Sequence, residues 1–222
     1  MNELSFLIPV RGGSRRIPRK NMLELDGETL IARKIRQVSP LGKVYVGSDD
    51  DEMLEEARRH GAIAVRRKMT NEGQDSANDM LAEFVGLIEP CETVVWCHVC
   101  NALLSTETYK RAIDEFYKGL REGYDSLISV HEVREHFWNA DMRTPCYNVT
   151  WCKNVRHLCA KELPPLFMQD GGIFVNRYQD IIKHHYFFGD RPKLFVVPKE
   201  EFCDINEYSD YLYAKAVIEN KN

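Results

Sequence analysis

No run of apolar residues in this 222-residue sequence approaches the ~18 that a membrane-spanning helix needs. The N-terminus also lacks the charged-then-apolar order of a secretory signal, so the expectation is a cytoplasmic chain that meets no membrane. A positive surplus is missing too. The 30 Lys and Arg face 34 Asp and Glu, a net charge of -4, which argues against nucleic acid as a partner. Neither the GxxxxGK[ST] phosphate loop nor GxGxxG occurs, which leaves an ATPase or a dinucleotide enzyme without support. The seven cysteines (91, 97, 100, 146, 152, 159, 203) are odd in number and scattered, a usage that suits a reducing compartment better than a disulfide framework. Only Cys97 and Cys100 form a CxxC, with no second pair at zinc spacing. His131, His136, Cys146 and Cys152 could complete a metal site in principle; the alternative is that this CxxC packs as small hydrophobes at a strand end. Repeats and low-complexity linkers are absent.

What is present fits one domain over 1–222. Hydrophobic residues make up 44% and charged residues 29%, enough to bury a core without disulfides or a structural metal. Apolar runs predict strands at 4–10, 43–47, 63–65, 93–99 and 126–133, alternating with helical patterns at 29–38, 49–60, 77–88 and 106–120. Residues 49–60 open with acids and close on Arg58, Arg59, His60 and Gly61, the charge order and stop signal of a capped helix. This alternation implies the α/β class: a Rossmann-like domain with a mainly parallel central sheet flanked by helices. The rhythm breaks over 134–165, where Trp138, Tyr147, Trp151, cysteines and prolines show no period. So long a loop is expected to serve function or oligomer contact. A strand at 172–176, a helix at 178–185, a strand at 194–197 and a helix at 207–219 complete the reading.

The most unusual stretch is 6–21, FLIPVRGGSRRIPRKN, where an apolar strand runs into Arg11, Arg15, Arg16, Arg19 and Lys20. A parallel strand ending in a glycine turn presents backbone N–H groups at the carboxyl edge of the sheet. Gly12 and Gly13 let that backbone approach an anion, and Arg11, Arg15 and Lys20 add charge-assisted hydrogen bonds. A triphosphate fits this arrangement. Charge and glycine alone also leave open a solvated basic loop.

IPVRGGSRRIPRKN resembles the N-terminal signature of the CMP-sialic acid synthetase (acylneuraminate cytidylyltransferase) family, A-R-x-G-S-K-x-I-P-x-K-N, with Val10 for alanine and Arg15 for lysine. Similar segments follow in order: VYVGSDDDEMLEEARRHGA, RRKMTNEGQDSANDM, DSLISVHEV, ELPPLFMQDGGIFVN and EEFCDINEYSDYLYAKAVIE. The resemblance spans nearly the whole chain. It implies transfer of CMP from CTP to a hydroxyl of a sialic-type or related sugar acid, with release of pyrophosphate and use of Mg²⁺. It also implies that Arg11, Gly12, Gly13, Ser14, Arg15, Lys20 and Asn21 hold the phosphates and ribose. Arg11, Arg15, Lys20 and Asp204 would form the catalytic set. Arg66 or Arg67, with Asp75, Ala77 and Asp79, would line the cytosine end, and one extra residue before Asp75 leaves the choice of arginine open. His98, Asn101, Asp170, Phe187 and Phe188 would face the acceptor, and Asp204 and Asn206 the metal. By position, 134–165 resembles the arm through which members form homodimers.

The chain departs from the pattern at several points. The usual aspartate pair reads Asp204, Ile205, Asn206, and an amide oxygen brings no charge to a metal. Glu207 and Asp210 could help, or Asp204 and Asn206 could cap the last helix. The family's Q-P-T-S-P-L becomes His98 to Leu103; His98 could donate to the acceptor or sit bonded to a backbone carbonyl. The family's carboxylate-binding basic residue falls on Ala160, with Arg156, His157 and Lys161 nearby. Asp170 replaces an asparagine, and Phe187 and Phe188 could be pocket wall or core. All these departures lie on the acceptor and metal side. Two further readings stay open: a cytidylyltransferase for a non-sialic metabolite, and a catalytically silent CTP-binding homologue that Asn206→Asp would not rescue.

Overall fold

β1 (Leu4–Pro9) is apolar along its length, and Phe6, Leu7 and Ile8 are wholly buried. Such a strand belongs inside a sheet covered on both faces. The computed structural model describes residues 3–68, 77–139, 144–145 and 159–220. After β1 and its basic loop comes a short hairpin, β2 (Glu24–Leu25) and β3 (Glu28–Thr29), turned at Asp26 and Gly27 with φ of 55° and 75°. That Asp-Gly turn is a strong hairpin signal, and the expectations above passed over it.

The main sheet adds β4 (Lys43–Ser48), β5 (Ile63–Arg66), β6 (Thr93–Trp96) and β7 (Ser126–Val133). A separate two-residue ladder, β8 (Trp138–Asn139) with β9 (Thr144–Pro145), lies in the 134–165 segment. β10 (Leu166–Arg177) and β11 (Pro192–Val196) complete the main sheet, in the order β11-β7-β10-β6-β1-β4-β5. Every pairing in it is parallel except those of β10, which runs against both β6 and β7.

The helices of the described residues are α1 (Leu30–Val38), α2 (Asp51–Arg59), α3 (Ala77–Gly86), α4 (Thr106–Arg121), α5 (Tyr178–His184) and α6 (Tyr208–Glu219). Side chains alternate across β1, so Phe6 and Ile8 enter one core with α1, α2, α4 and α6, while Leu7 enters another with α3 and α5. Polar side chains start the helices: Thr29 Oγ1 accepts from Ala32 N, Asp50 Oδ1 from Met53 N and Ser105 Oγ from Thr108 N. No described helix is long and apolar enough to cross a membrane.

Several boundaries differ from the sequence expectations, those of β6, β10 and α3 among them. β6 stops at Trp96 rather than residue 99, because the chain turns into the loop that carries His98 and Asn101. β10 starts at Leu166 rather than 172: its first residues are largely exposed and its register shifts between Gln169 and Phe174, so no period-2 pattern marks them. α3 ends at Gly86 rather than 88. Within 134–165, residues 140–143 and 146–158 lie outside the described residues, and with them Cys146, Tyr147, Trp151, Cys152, Arg156 and His157.

Candidate active site

The chain winds from β1 to β4 and β5 on one side, then returns to place β6 on the other side of β1. Loops leaving the carboxyl ends of β1 and β6 therefore part, opening a crevice of the kind where α/β sheets bind ligands. A cleft of about 340 Å³ lies there, lined by Arg11, Ser14, Arg15, Arg16, Lys20 and Asn21 from the first loop. Arg67, Met80 and His98 complete much of its wall.

The first loop is held by its own polar residues. Gly12 N donates to Asp49 Oδ1 (3.1 Å), and a Cβ on Gly12 would stand 2.8 Å from Asp50 Oδ2, the carboxylate that caps α2. Only glycine lets the loop lie so close to that cap. Arg19 has φ of 53° and donates to Glu52 Oε2 at 2.5 Å, so this cation fastens the loop. The buried Asn21 donates through Nδ2 to Arg11 O (3.0 Å), fixing the two ends of the turn together. Lys20 Nζ reaches across to Ile205 O (2.7 Å), tying the loop to the segment before α6.

Of the two arginines open at the cytosine end, Arg67 lines the cleft. It is 2% exposed, donates from Nη2 to Val10 O (2.9 Å) and lies across the Phe84 ring. Gly47 makes room for it, since a Cβ there would meet Arg67 Cδ at 2.8 Å. Burial lowers the Arg67 guanidinium pKa from its ordinary value, against the opposing carboxylates Glu83 and Asp49. Arg66 instead turns to the Asp49 carbonyl and the Asp51 carboxylate. Ala77 and Asp79 sit in the first turn of α3, where Asp79 is exposed; Asp75 lies outside the described residues.

A second cleft, about 510 Å³, is lined by Gln169, Asp170, Phe202, Asp204, Asp210 and Tyr213, and meets the first at Asn206. Behind it runs a buried polar network. Lys34 of α1 is 1% exposed and donates to Asn101 O (2.9 Å) and Tyr109 Oη (2.7 Å). Asn101 Nδ2 donates to Asp170 O (3.0 Å); Asp170 Oδ1 accepts from Ser129 Oγ and from Gly172 N (2.9 Å). Burial lowers Lys34 to about 8, and burial raises the Asp170 carboxyl above the usual range despite these hydrogen bonds.

His98 matches the carbonyl-bonded reading. Trp96 Nε1 can only donate, so His98 Nε2 accepts from it (3.0 Å) and Nδ1 carries the proton toward Gly171 O (2.8 Å). Burial lowers the ring's pKa, which keeps it neutral. Phe187 and Phe188 line neither cleft: both pack around Phe174 in the second core, Phe187 edge-on to Trp96. Cys97 is buried and Cys100 half-buried, each with its thiol pushed up to about 12, so both thiols stay protonated. His131 stacks on Phe202 at 4.1 Å.

The expected metal pair is only half available. Asp204 Oδ1 is buried with no hydrogen-bond partner, the state of a carboxylate oxygen that fits a cation. Asn206 Nδ2 donates to Asp204 Oδ2 (2.6 Å), and Asn206 Oδ1 accepts from Arg16 Nη2 (2.6 Å). The cap of α6 belongs to neither: Asp210 Oδ2 accepts from Asn206 N (2.8 Å) and Glu207 N (2.7 Å). Sequence reasoning gave no role to Arg16, Lys34 or Ser129. Lys34 did have a signal, one residue before Ile35 on the apolar face of its helix.

Comparisons with known proteins give the family and the fold. The cytidylyltransferase family model matches residues 5–158. A pseudaminic acid cytidylyltransferase of Campylobacter jejuni is 25% identical, over 94% of this chain and 93% of its own length. An N-acylneuraminate cytidylyltransferase of Streptococcus agalactiae is 24% identical over 93% of this chain, which spans 51% of that longer protein. Among solved structures, a CMP:2-keto-3-deoxy-manno-octonic acid synthetase complexed with CTP superposes with a TM-score of 0.68 at 15% identity, covering 99% of this chain and all 100% of that one. A 4-diphosphocytidyl-2C-methyl-D-erythritol synthase from Anaerococcus prevotii reaches 0.70 at 12% identity, covering 98% and 96%. These two likenesses carry the fold.

Proposed function

The chain belongs to the cytidylyltransferase family, and from that premise we propose that it transfers CMP from CTP to a hydroxyl of a sugar-acid acceptor, releasing pyrophosphate. The observation that carries the reading is the basic loop after β1, which opens on a cleft at the β1/β6 crevice. Arg11, the Gly12-Gly13-Ser14 turn, Arg15, Lys20 and Asn21 bind the phosphates and ribose, and Arg67 faces the base. The acceptor enters the second cleft, against Asp170 and the wall that Asn101 and His98 support. Its hydroxyl oxygen attacks the α-phosphorus; the bond from that phosphorus to the bridging oxygen breaks, and the electron pair leaves with pyrophosphate while the hydroxyl proton passes to solvent. The loop's contribution is alignment of the reacting atoms and neutralisation of charge. The free oxygen of Asp204 fits a divalent cation such as Mg²⁺, which when bound would offset triphosphate charge.

Pyrophosphate release measured with CTP against a panel of sugar acids and phosphorylated metabolites tests this. Turnover with a sugar acid is expected; turnover only with other metabolites would replace the acceptor class. A second reading, a silent CTP-binding protein, draws on Asn206, and CTP binding in calorimetry with no turnover for any acceptor would favour it. The chain is further proposed to work in the cytoplasm as a homodimer through 134–165. Light scattering that returns a monomer would remove the dimer.

A further inference from the structure

Asn206 lines both clefts, so the atoms around it stand where a transferred phosphate would pass from nucleotide to acceptor. The residue is held from three sides: its side-chain Nδ2 donates to Asp204 Oδ2 (2.6 Å), its side-chain Oδ1 accepts from Arg16 Nη2 (2.6 Å), and its main-chain N donates to Asp210 Oδ2 (2.8 Å). Arg16 also donates through Nη1 to Glu207 Oε1 (3.3 Å). Its side chain remains 58% exposed and lines the smaller cleft. The guanidinium is thus anchored on one flank, and its remaining N–H groups are available to the cleft.

We propose that Arg16 is a catalytic residue that binds the transferring phosphate at the junction of the two clefts, and that Asn206 is its positioning residue rather than a cation ligand. The inference rests on the cytidylyltransferase reading. An amide oxygen already accepting a short charge-assisted bond is committed to the guanidinium. A planar guanidinium with fixed donors suits phosphate oxygens whose charge grows as pyrophosphate departs. Position 16 is unspecified in the motif that the loop resembles, and Asn206 stands where the resembled pattern has its second aspartate.

Calorimetry with CTP in EDTA, and pyrophosphate release with the sugar acid of highest turnover, test the pair. Arg16→Gln is expected to weaken CTP binding about tenfold and lower kcat on the order of 10²-fold, with Arg16→Lys recovering part of each. Asn206→Ala is expected to lower kcat about tenfold in the parent chain but less than about twofold in the Arg16→Gln background, because the two act as a unit. It should leave the Mg²⁺ concentration for half-maximal rate unchanged. Arg16→Gln binding CTP and turning over like the parent would overturn the proposal. So would Asn206→Ala costs that multiply with those of Arg16→Gln, or an Asn206→Ala effect confined to Mg²⁺ dependence. A parent chain that binds no CTP would sink the cytidylyltransferase reading and this inference with it; a parent that binds and turns over CTP, with variants that behave like it, would sink only the inference.

Discussion

The two walls of the cleft are built by opposite means. The proposed nucleotide wall is mainly one continuous segment, 10–21, with Arg67 beside it; the segment is laid against the start of α2 and fastened by exposed polar contacts such as Gly12 to Asp49 and Arg19 to Glu52. The acceptor wall is gathered from α1, the loop after β6, β7 and β10, through bonds that join residues 67, 69 and 41 positions apart. A wall of one segment exposes its side chains to the ligand, so its substitutions should be read in binding and rate. A wall that is a closed buried network must keep every partner satisfied, so its substitutions should be read first in stability.

The largest effect should come from the nucleotide wall. Lys20→Ala is expected to lower kcat/KM for CTP on the order of 10²–10³-fold while the acceptor KM stays within a few-fold. An equal loss in both substrates' parameters would mean that the walls are not separable in this way. On the acceptor wall, Lys34 gives a signature in pH. Burial lowers it from 10.5 to about 8, so between these values the unfolded chain binds the proton and the folded chain does not, and stability rises with pH across that window. The gain should be about 3 kcal/mol. Cys97 and Cys100, raised from 9.0 to about 12 chiefly by burial, pull the other way at higher pH; comparison with Lys34→Met by urea unfolding removes that burial contribution and leaves Lys34 with its coupling to the two thiols. A difference that stays flat from pH 7 to 10.5 would remove the buried ammonium from the network.

Asp170→Ala strips the partner from Ser129 Oγ and Gly172 N and should cost about 2 kcal/mol, against less than about 1 kcal/mol for Asp170→Asn, which keeps an acceptor oxygen. Equal costs would show that the bonds at Oδ1 do not hold the wall. The smallest effect is expected from Gly12→Ala. The new methyl group would press on the Asp50 carboxylate, with a cost of about 1 kcal/mol from the disturbed cap. A larger rise in CTP Kd than in unfolding free energy would identify the turn as part of the binding surface.

These contrasts also explain what was legible in the sequence. The α/β alternation and helices such as Thr106–Arg121 follow from periodic apolar residues, which local reading captures. The basic loop was visible because its residues are contiguous. The choice between Arg66 and Arg67 was not, since it depends on where β5 ends and on which face the next side chain leaves. Lys34 was hidden by its charge: a lysine reads as surface until its carbonyl and hydroxyl partners, from distant segments, are in place. Of the two readings open for Phe187 and Phe188, core packing holds because Phe174, within the strand expected over 172–176, packs against both from a segment distant in sequence.

The antiparallel direction of β10 has a further consequence. β7 ends and β10 begins at the same rim of the sheet, Val133 facing Leu166, so the stretch joining them leaves and re-enters at one place. Residues added to or removed from that stretch leave every pairing of the main sheet in place. The main sheet is thus a fixed chassis with an exchangeable insert, and a graft of 134–165 from a relative is a change that its strand order tolerates readily.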